Sequence, residues 1–376
     1  MTDASRRSPG AVAVAGFFPP PVTGQSVATE RLASLLGDEL PVERIDLGVR
    51  DADDDARTSR FRLDLIGRMM CRRRSWREQA AAGFPTAWES ISPSQWGVWR
   101  DALLMHGVWQ PGQRVWGVVH HGDFADALAH PIRRIALRRT LSRLSGLVLL
   151  SDTLRQACAP LTGDLPLHVI PNTVNETSIA TPAELDQRRE HPSGGLRLLF
   201  LSNMIAEKGY RDVLHAAAVL AESDHLDHVT FAGAWPDDAA RRAFESETES
   251  LGIAPRTHVL GPVYDADAKR RLFLRCDAFV LPTYYPTEAQ PLTILEALAT
   301  GTPVVATRQG GIGEMVGEAE ASFVPPRNPR ALADALRSFS DQTRWLAASQ
   351  AARARFDTAY HPDYVRRLWL DLLATE

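Results

Sequence analysis

The sequence predicts an α/β protein made of two doubly wound domains that face each other across a cleft. A chain of 376 residues is too long to fold around one ordinary hydrophobic core. Short apolar runs of the buried-strand type alternate with helical segments, and a polar stretch separates two such series. We expect an N-terminal domain at 1–175, a linker at 176–195, a second domain at 196–355, and a C-terminal helix at 356–376 that returns to the first domain.

The first half opens with an apolar run, Ala11–Phe17, followed by a Pro and Gly cluster and then by helical spacing over Ser26–Leu40. Further buried-strand runs in this half are Val115–Val119, Gly146–Leu150 and Leu167–Ile170. An opening of strand, loop and helix is typical of a Rossmann-like unit.

A second strand series follows the polar stretch 176–195, which contains Pro182 and Pro192 and has the composition of a linker. Its strand candidates are Leu196–Leu201, Val229–Ala232, His258–Leu260, Ala278–Leu281 and Pro303–Ala306. The segments between them have helical patterns, so a second parallel sheet is expected.

Composition excludes several classes of protein. The formal net charge of -4 gives no basis for a nucleic-acid partner. Three cysteines lie far apart, without the spacing of zinc or disulfide frameworks. No run approaches the roughly 20 apolar residues of a membrane span, and Pro19–Pro21 interrupts the first apolar run where a signal peptide would continue. We expect a cytoplasmic protein.

The most informative segment runs from Leu281 to Gly301, as a strand end, a loop and a helix. Glu288 falls in the loop and Glu296 about one turn inside the helix that starts after Pro291. Free N–H groups at such a helix start suit a diphosphate, and a carboxylate suits sugar hydroxyls. Taken alone, two glutamates at this spacing are more often solvated helix charges.

Two further candidate motifs lie in loops that directly follow strands of the same half. Glu207-Lys208-Gly209 follows the first strand, and a lysine beside a glycine there can reach a phosphate. Gly310-Gly311 follows another strand and permits close backbone approach to a ligand. A surface lysine and an ordinary flexible turn are equally good interpretations of each loop by itself.

In combination these residues resemble glycosyltransferase family 4, whose members are retaining enzymes of the two-domain GT-B fold. The resemblance covers nearly the whole chain and is strongest from Leu196 to Val324. It rests on Glu288 with Glu296, Glu207-Lys208-Gly209, Ile170-Pro171-Asn172 with Val174-Asn175, and Gly310-Gly311 with Glu314.

The resemblance implies metal-independent transfer of a hexose-type sugar from a nucleotide diphosphate donor to a glycan, lipid-linked or small-molecule acceptor, with no cofactor besides that co-substrate. It assigns catalytic roles to His121, Lys208 and Glu288. The implied donor-binding residues are Gly24, Asn203, Lys208, Glu288, Ala289, Gln290, Pro291, Leu292, Glu296 and Gly311. Asn203 stands where the family often has arginine, which removes one cation from the expected phosphate site.

In the first half the resemblance makes Gly24 part of a glycine loop that approaches the donor phosphate. It places a histidine near the reacting carbon, and His121, which precedes Gly122, matches best. His120 is the alternative, since successive side chains of a strand point to opposite faces. Asn172, in the hinge motif, is a candidate for orienting the acceptor.

Other interpretations stay open. Asp265-Ala266-Asp267 has the Asp-x-Asp sequence pattern of a metal-binding pair but precedes a helical run. We therefore interpret it as a helix cap and expect no metal. Arg57 to Arg77 has the composition of a basic surface helix that contacts a membrane from the cytoplasmic side, or of one paired with nearby acids. Five tryptophans between 76 and 109 either pack the core or stack on sugar.

Three competing functions can be compared with the transferase. A GT-B epimerase or phosphorylase would use a similar site with a different acceptor. A non-catalytic nucleotide-sugar-binding protein would bind donor without turnover. A nicotinamide dehydrogenase is disfavoured, because no Gly-x-Gly-x-x-Gly follows either opening strand.

Overall fold

A computed structural model describes residues 10–48, 76–78, 83–188, 194–319 and 321–374. The chain forms two compact units. The first comprises the described residues up to Asn172 together with those from Pro362 onward, and the second comprises Thr173–His361. Most of the predicted Arg57 to Arg77 surface segment, residues 57–75, lies outside the described residues.

The first unit is a parallel sheet with helices. Its strands are β1 (Val12–Gly16), β2 (Val42–Asp46), β3 (Thr86–Trp88), β4 (Val115–Val119), β5 (Gly146–Leu149) and β6 (Leu167–Val169). Its helices are α1 (Gly24–Gly37), α2 (Gly97–Val108), α3 (Phe124–Ala129), α4 (Arg133–Leu141) and α5 (Asp152–Thr162), with α14 (Pro362–Ala374) from the end of the chain. The described strands pair in the order β2-β1-β3-β4-β5-β6.

Burial explains why these segments form the centre of the sheet. All five residues of β1 are buried, and Ala13 pairs with Glu43 of β2 on one side and Thr86 of β3 on the other. α14 covers the same core as α1, because Trp369 and Leu373 pack in one cluster with Leu36. The predicted return of the C-terminal helix to the first domain is thereby confirmed.

The second unit repeats this architecture. Its strands are β7 (Leu196–Leu201), β8 (Leu226–Ala232), β9 (Thr257–Leu260), β10 (Ala278–Leu281), β11 (Val304–Ala306) and β12 (Ala321–Phe323). Its helices are α6 (Pro182–Gln187), α7 (Tyr210–Glu222), α8 (Asp238–Ser250), α9 (Ala266–Arg275), α10 (Leu292–Ala299), α11 (Ile312–Met315), α12 (Pro329–Arg337) and α13 (Gln342–Ala359). The strands are parallel, in the order β12-β11-β10-β7-β8-β9.

The predicted fold class is therefore confirmed, and the sheets contain three strands that the sequence did not predict. β3 and β12 have three residues each, too few for a visible pattern. β2 lies at a sheet edge and is largely exposed, so it lacks the apolar run of a buried strand. Short and edge strands form through pairing with neighbours, which local sequence does not record.

The stretch predicted as the linker 176–195 is structured over its described first part. It contains α6, and Arg188 is buried, where its guanidinium donates to Thr300 O at 2.8 Å and to Cys276 O at 2.6 Å. These bonds hold the segment in the second unit. The units accordingly divide at 172/173, three residues before the predicted boundary at 175.

Four of the five tryptophans between 76 and 109 separate into two groups, and the fifth, Trp109, is partly buried against the core of the first unit. Trp76 and Trp88 are fully buried and meet edge to face, with ring centroids 5.6 Å apart. Trp96, just before α2, and Trp99, on α2, are by contrast exposed. In the described part of the chain, no helix is both long and apolar enough to cross a membrane.

Candidate functional site

The second sheet has its topological switch point between β7 and β10. These strands are neighbours, although the chain runs from β7 to β8 in one direction and from β10 to β11 in the other. Ligands of open α/β sheets bind outside the carboxyl ends of the strands at such a point. The loops that leave β7, β10 and β11 carry Lys208, Glu288 and Gly310–Gly311, respectively.

Lys208 and Glu288 form an ion pair at this position. Lys208 Nζ donates to Glu288 Oε2 over 2.6 Å, and both side chains are largely buried. Thr283 Oγ1 also donates to Glu288 Oε2, at 3.2 Å. Lys208 Nζ lies 4.8 Å from the ring centroid of Tyr285, so the ammonium also gains a cation–π contact.

The loops after β7 and β10 are held together by their backbones. Tyr284 N–H donates to Glu207 O over 2.8 Å. Gly209 has φ +82°, and a Cβ there would lie 2.5 Å from Pro282 O. Only glycine combines this conformation with so close an approach, so Gly209 fixes the position of Lys208 relative to the neighbouring loop.

Gly310 has a comparable role in the loop after β11. Its φ is +55°, and a Cβ there would overlap the carbonyl oxygen of Glu288. The next residue, Gly311, donates its backbone N–H to Ala289 O over 2.9 Å. The close approach in the structure is therefore between two loops of the protein, and the N–H of Gly311 holds the Glu288 loop. The predicted approach to a ligand stays a prediction.

Glu296 lies one turn inside α10 and is almost completely buried. Lys269 Nζ of α9 donates to Glu296 Oε1 over 2.9 Å. Lys208 and Lys269 are the two lysines of the chain, and all its other basic side chains except histidine are arginine. Each of the two candidate glutamates is thus paired with one of the two lysines.

Four of the remaining predicted donor residues, at positions 289–292, lie at or just before the start of α10. Pro291 is its N-cap and makes no side-chain capping bond, and Leu292 is its first residue. Ala289 and Gln290 are buried between Glu288 and the helix. Asn203, at the end of β7, is exposed.

The first unit holds a separate polar cluster at the carboxyl ends of β1, β3 and β4. His120 Nε2 lies 2.5 Å from Glu89 Oε2, and both side chains are nearly buried. Gln25 Nε2 of α1 donates to Glu89 O over 2.9 Å. β1 and β3 flank the switch point of this sheet, so the cluster occupies the position where open α/β sheets bind ligands.

His121 follows in the same loop and differs from its neighbour in environment. Burial lowers the pKa of His121 below its ordinary value, and the charge of His120 lowers it further, whereas Asp123 opposes the change. One carboxylate oxygen of Asp123 is buried without a hydrogen-bond partner among the described residues. The loop therefore presents a neutral imidazole next to an acceptor with spare capacity.

Gly24 and Asn172 take other positions in the first unit. Gly24 is the first residue of α1 after the N-cap Thr23, and space is open around its Cα. Asn172 is half-buried at the last position of the unit before the chain enters the second.

Asp265 is a helix cap, as the sequence predicts. Its Oδ1 accepts the N–H of Ala268 at 2.7 Å in the first turn of α9, and Asp267 pairs with Arg270 and Arg271. Within the described ranges, no group of three or more His, Cys, Asp or Glu is placed to hold a metal ion.

Two residues of these clusters were not predicted. Lys269 could have been found from the rarity of lysine in a chain that otherwise uses arginine. Glu89 follows the three-residue strand β3, and the local sequence offers no comparable signal. Its contact with His120 depends on β3 pairing with β4.

Comparison with solved structures defines the class of fold. The chain superposes on the Anabaena protein HepE in complex with UDP and glucose with a TM-score of 0.71 at 15% identity, over 97% of this chain and 99% of that one. Sucrose-phosphate synthase from Thermosynechococcus elongatus gives a TM-score of 0.73 at 18% identity, over 97% and 100% of the two chains. The chain has the GT-B fold.

Sequence comparison identifies the group to which the second unit is related. Residues 183–355 match the model of a family described as glycosyl transferases group 1. The chain is 30% identical over 254 residues to glycogen synthase of Mycobacterium tuberculosis, which covers 63% of this chain and 56% of the synthase. It spans about half the length of the curated relatives it matches. The matched family segment includes Lys208, Glu288 and Glu296.

Proposed function

We propose that the chain is a retaining, metal-independent glycosyltransferase that uses a nucleotide diphosphate sugar. The observation that carries this proposal is the Lys208–Glu288 pair at the switch point of the second sheet, next to the start of α10. The pair and the helix start together supply one cation, one carboxylate and one helix N-terminus at the same edge of the sheet. Phosphate and sugar groups require these three kinds of partner.

Lys208 suits the leaving diphosphate. Its ammonium has three N–H donors, and one is used by Glu288. The others can donate to phosphate oxygens, on which negative charge grows as the glycosidic bond breaks. Electrostatic stabilisation of this kind, by groups held in place before reaction, is a large contribution to catalysis.

Glu288 suits the hexose. Among the described residues both of its side-chain hydrogen bonds end on Oε2, so Oε1 can accept a sugar hydroxyl. We assign the ribose of the nucleotide to Glu296, whose carboxylate is held in place by the hydrogen bond from Lys269 Nζ to its Oε1. The backbone N–H groups of the first turn of α10, beginning with that of Leu292, would face the phosphates.

The proposed reaction needs no protein nucleophile. The acceptor hydroxyl oxygen forms a bond to the anomeric carbon on the face from which the diphosphate oxygen departs. The hydroxyl proton passes to that departing oxygen, so the diphosphate leaves with the bonding electron pair and the configuration is retained. No metal is needed if Lys208 and the helix start balance the charge.

The first unit would contribute His121 and the Glu89–His120 pair to substrate binding. A neutral imidazole at His121 can donate one hydrogen bond and accept another, which suits a sugar or acceptor hydroxyl. A glycan, a lipid-linked sugar or a small molecule remains the proposed range of acceptors. The family match of the second unit and the UDP and glucose bound to HepE support a nucleotide-sugar donor.

Thermal-shift screening against UDP-, GDP-, ADP- and dTDP-sugars tests donor binding, because a ligand selective for the folded state raises its apparent stability. Turnover is then measured with the stabilising donor, in EDTA, and the anomer of the product is assigned by NMR. We expect full activity in EDTA and a retained anomer. An inverted product would refute retention. Tight donor binding without turnover on a broad acceptor panel would favour a non-catalytic binding protein.

A further inference from the structure

The first unit has an exposed apolar face on α2 and α4. Nine large apolar side chains are exposed among the described residues, and five of them lie on or beside these two helices. They are Trp96 at 78% exposure, Trp99 at 37%, Leu103 at 52%, Ile132 at 59% and Ile135 at 50%. Residues 96, 99 and 103 follow helical spacing, so they form one stripe on α2. Such a concentration of exposed apolar area marks an interaction surface.

Hydrogen bonds at both ends of the helices place the two stripes side by side. At the start of α4, Arg133 Nη1 donates to Pro93 O over 3.1 Å, just before α2. At the other end, Arg143 Nη2 lies 3.2 Å from His106 Nδ1 of α2. Ile132, just before α4, and Ile135 on it are therefore at the same end of the helix pair as Trp96 and Trp99. We call the five exposed side chains the α2–α4 patch.

The patch is strongly basic. Five arginines lie on α4 or just after it, and no Asp or Glu occurs between residues 127 and 151. They are Arg133, Arg134, Arg138, Arg139 and Arg143. None of the five forms an ion pair with an acidic residue in the described part of the chain. On α2, Asp101 is buried and bonded to Arg100.

We propose that this α2–α4 patch docks the first unit on the surface of an anionic lipid membrane. Tryptophan and aliphatic side chains bordered by arginine match the boundary between headgroups and acyl chains. Arginines attract anionic headgroups, each by about five-fold in binding. With 12 and nine residues, α2 and α4 lie along the surface, since they are too short to span a bilayer.

Charge decides between the membrane and a second copy of the chain. A two-fold dimer through this patch would place the same five arginines against each other, because such an interface buries one patch on both subunits. An anionic bilayer offers the opposite charge to every arginine at once. The inference is independent of the proposed reaction, as none of these residues belongs to either polar cluster.

Vesicle flotation of the full chain tests the proposal, with phosphatidylcholine vesicles that contain 0 or 30% phosphatidylglycerol. We expect binding to the anionic vesicles, at least ten-fold weaker binding to the neutral ones, and a marked loss at high salt. Arg134→Glu/Arg138→Glu should weaken anionic binding at least 50-fold, and Trp96→Ser/Leu103→Ser about ten-fold. Circular dichroism and thermal unfolding confirm that each variant folds.

Matched variants on the second unit serve as controls. Arg241→Glu/Arg242→Glu makes the same change of charge on α8, and Leu260→Ser/Tyr264→Ser removes other exposed apolar groups. Both should bind vesicles like the wild type. The proposal is overturned if the folded wild type does not bind, if α2–α4 variants and controls bind equally, or if Trp96→Ser/Leu103→Ser only dissolves a dimer in solution.

Discussion

Lys208 Nζ lies 2.6 Å from Glu288 Oε2, although 80 residues separate the two in sequence. The contact exists because β7 and β10 are adjacent in the sheet, so that the loops leaving them share one edge. Glycine at 209 and 310 lets the three loops approach closely enough to maintain it. The pair therefore depends on the sheet order and on two glycines, and each dependence can be tested.

Lys208→Ala should lower donor turnover by about 10²- to 10³-fold, since it removes the side chain that stabilises the leaving diphosphate. Glu288→Ala should have an effect of similar size, and the double variant should lose less than the product of the two. Steady-state kinetics with the donor found by thermal shift measures this. Arg241→Ala, on an exposed helix of the same unit, is the control. Wild-type rates in folded Lys208→Ala would refute the assignment.

Lys269→Met should lower the free energy of unfolding by about 3 kcal/mol, because it removes the lysine that pairs with the buried Glu296 carboxylate. Lys269→Met/Glu296→Gln should recover most of this loss, since no charge then remains buried. Urea unfolding of the variants measures both effects. Arg241→Met breaks an exposed pair and should change stability by less than about 1 kcal/mol. Equal stability of Lys269→Met and the wild type would contradict this account.

Gly310→Ala should be more harmful than Gly252→Ala, although both glycines have positive φ. Each substitution costs about 1–2 kcal/mol in backbone conformation. At Gly252 the space around the new methyl is open, whereas at Gly310 it overlaps Glu288 O and must displace that loop. We expect donor binding to weaken only in Gly310→Ala, measured by calorimetry. Equal donor affinity in the two variants would show that the loop contact is unimportant.

Glu89→Ala should lower turnover about ten-fold, equivalent to about 1.4 kcal/mol, by removing the hydrogen-bond partner that orients His120. Glu89→Gln keeps an oxygen acceptor and should restore much of the activity. The pH–rate profile should shift in Glu89→Ala, which a purely structural role would not cause. Glu30→Ala, on the surface of the same unit, is the control. Unchanged turnover and pH profile in Glu89→Ala would remove Glu89 from the site.

His121 should make the first unit less stable as the pH falls below 6.5. Its pKa is lowered in the folded state, mainly by burial, so the unfolded chain binds the proton first. The free energy of unfolding then decreases from pH 6.5 down through the folded-state pKa. Urea unfolding at pH 7.5 and 5.5 should show a smaller decrease in His121→Gln than in the wild type. A variant at the exposed His106, His106→Gln, should follow the wild type, and an identical decrease in all three proteins would contradict the prediction.

How much the sequence predicts depends on whether a feature is local. β1, β4 and β10 are continuous apolar runs, so burial on both faces is visible in each segment alone. The loop and helix from Leu281 to Gly301 are equally local, since Pro291 and Gly301 mark the ends of α10. Lys208, Glu288 and Glu296 also lie in short local motifs, but they become candidates only through the combination of these motifs along the chain.

The two α/β series and the short motifs that follow their strands are encoded locally, because periodicity and helix caps act over a few residues. Which of these motifs meet is a property of the tertiary structure. It places β10 beside β7, which joins Glu288 to Lys208, and β3 beside β4, which joins Glu89 to His120. It also pairs Lys269 with Glu296 across two helices. Strand order and helix packing are set by burial of the whole core, and no single segment contains that information.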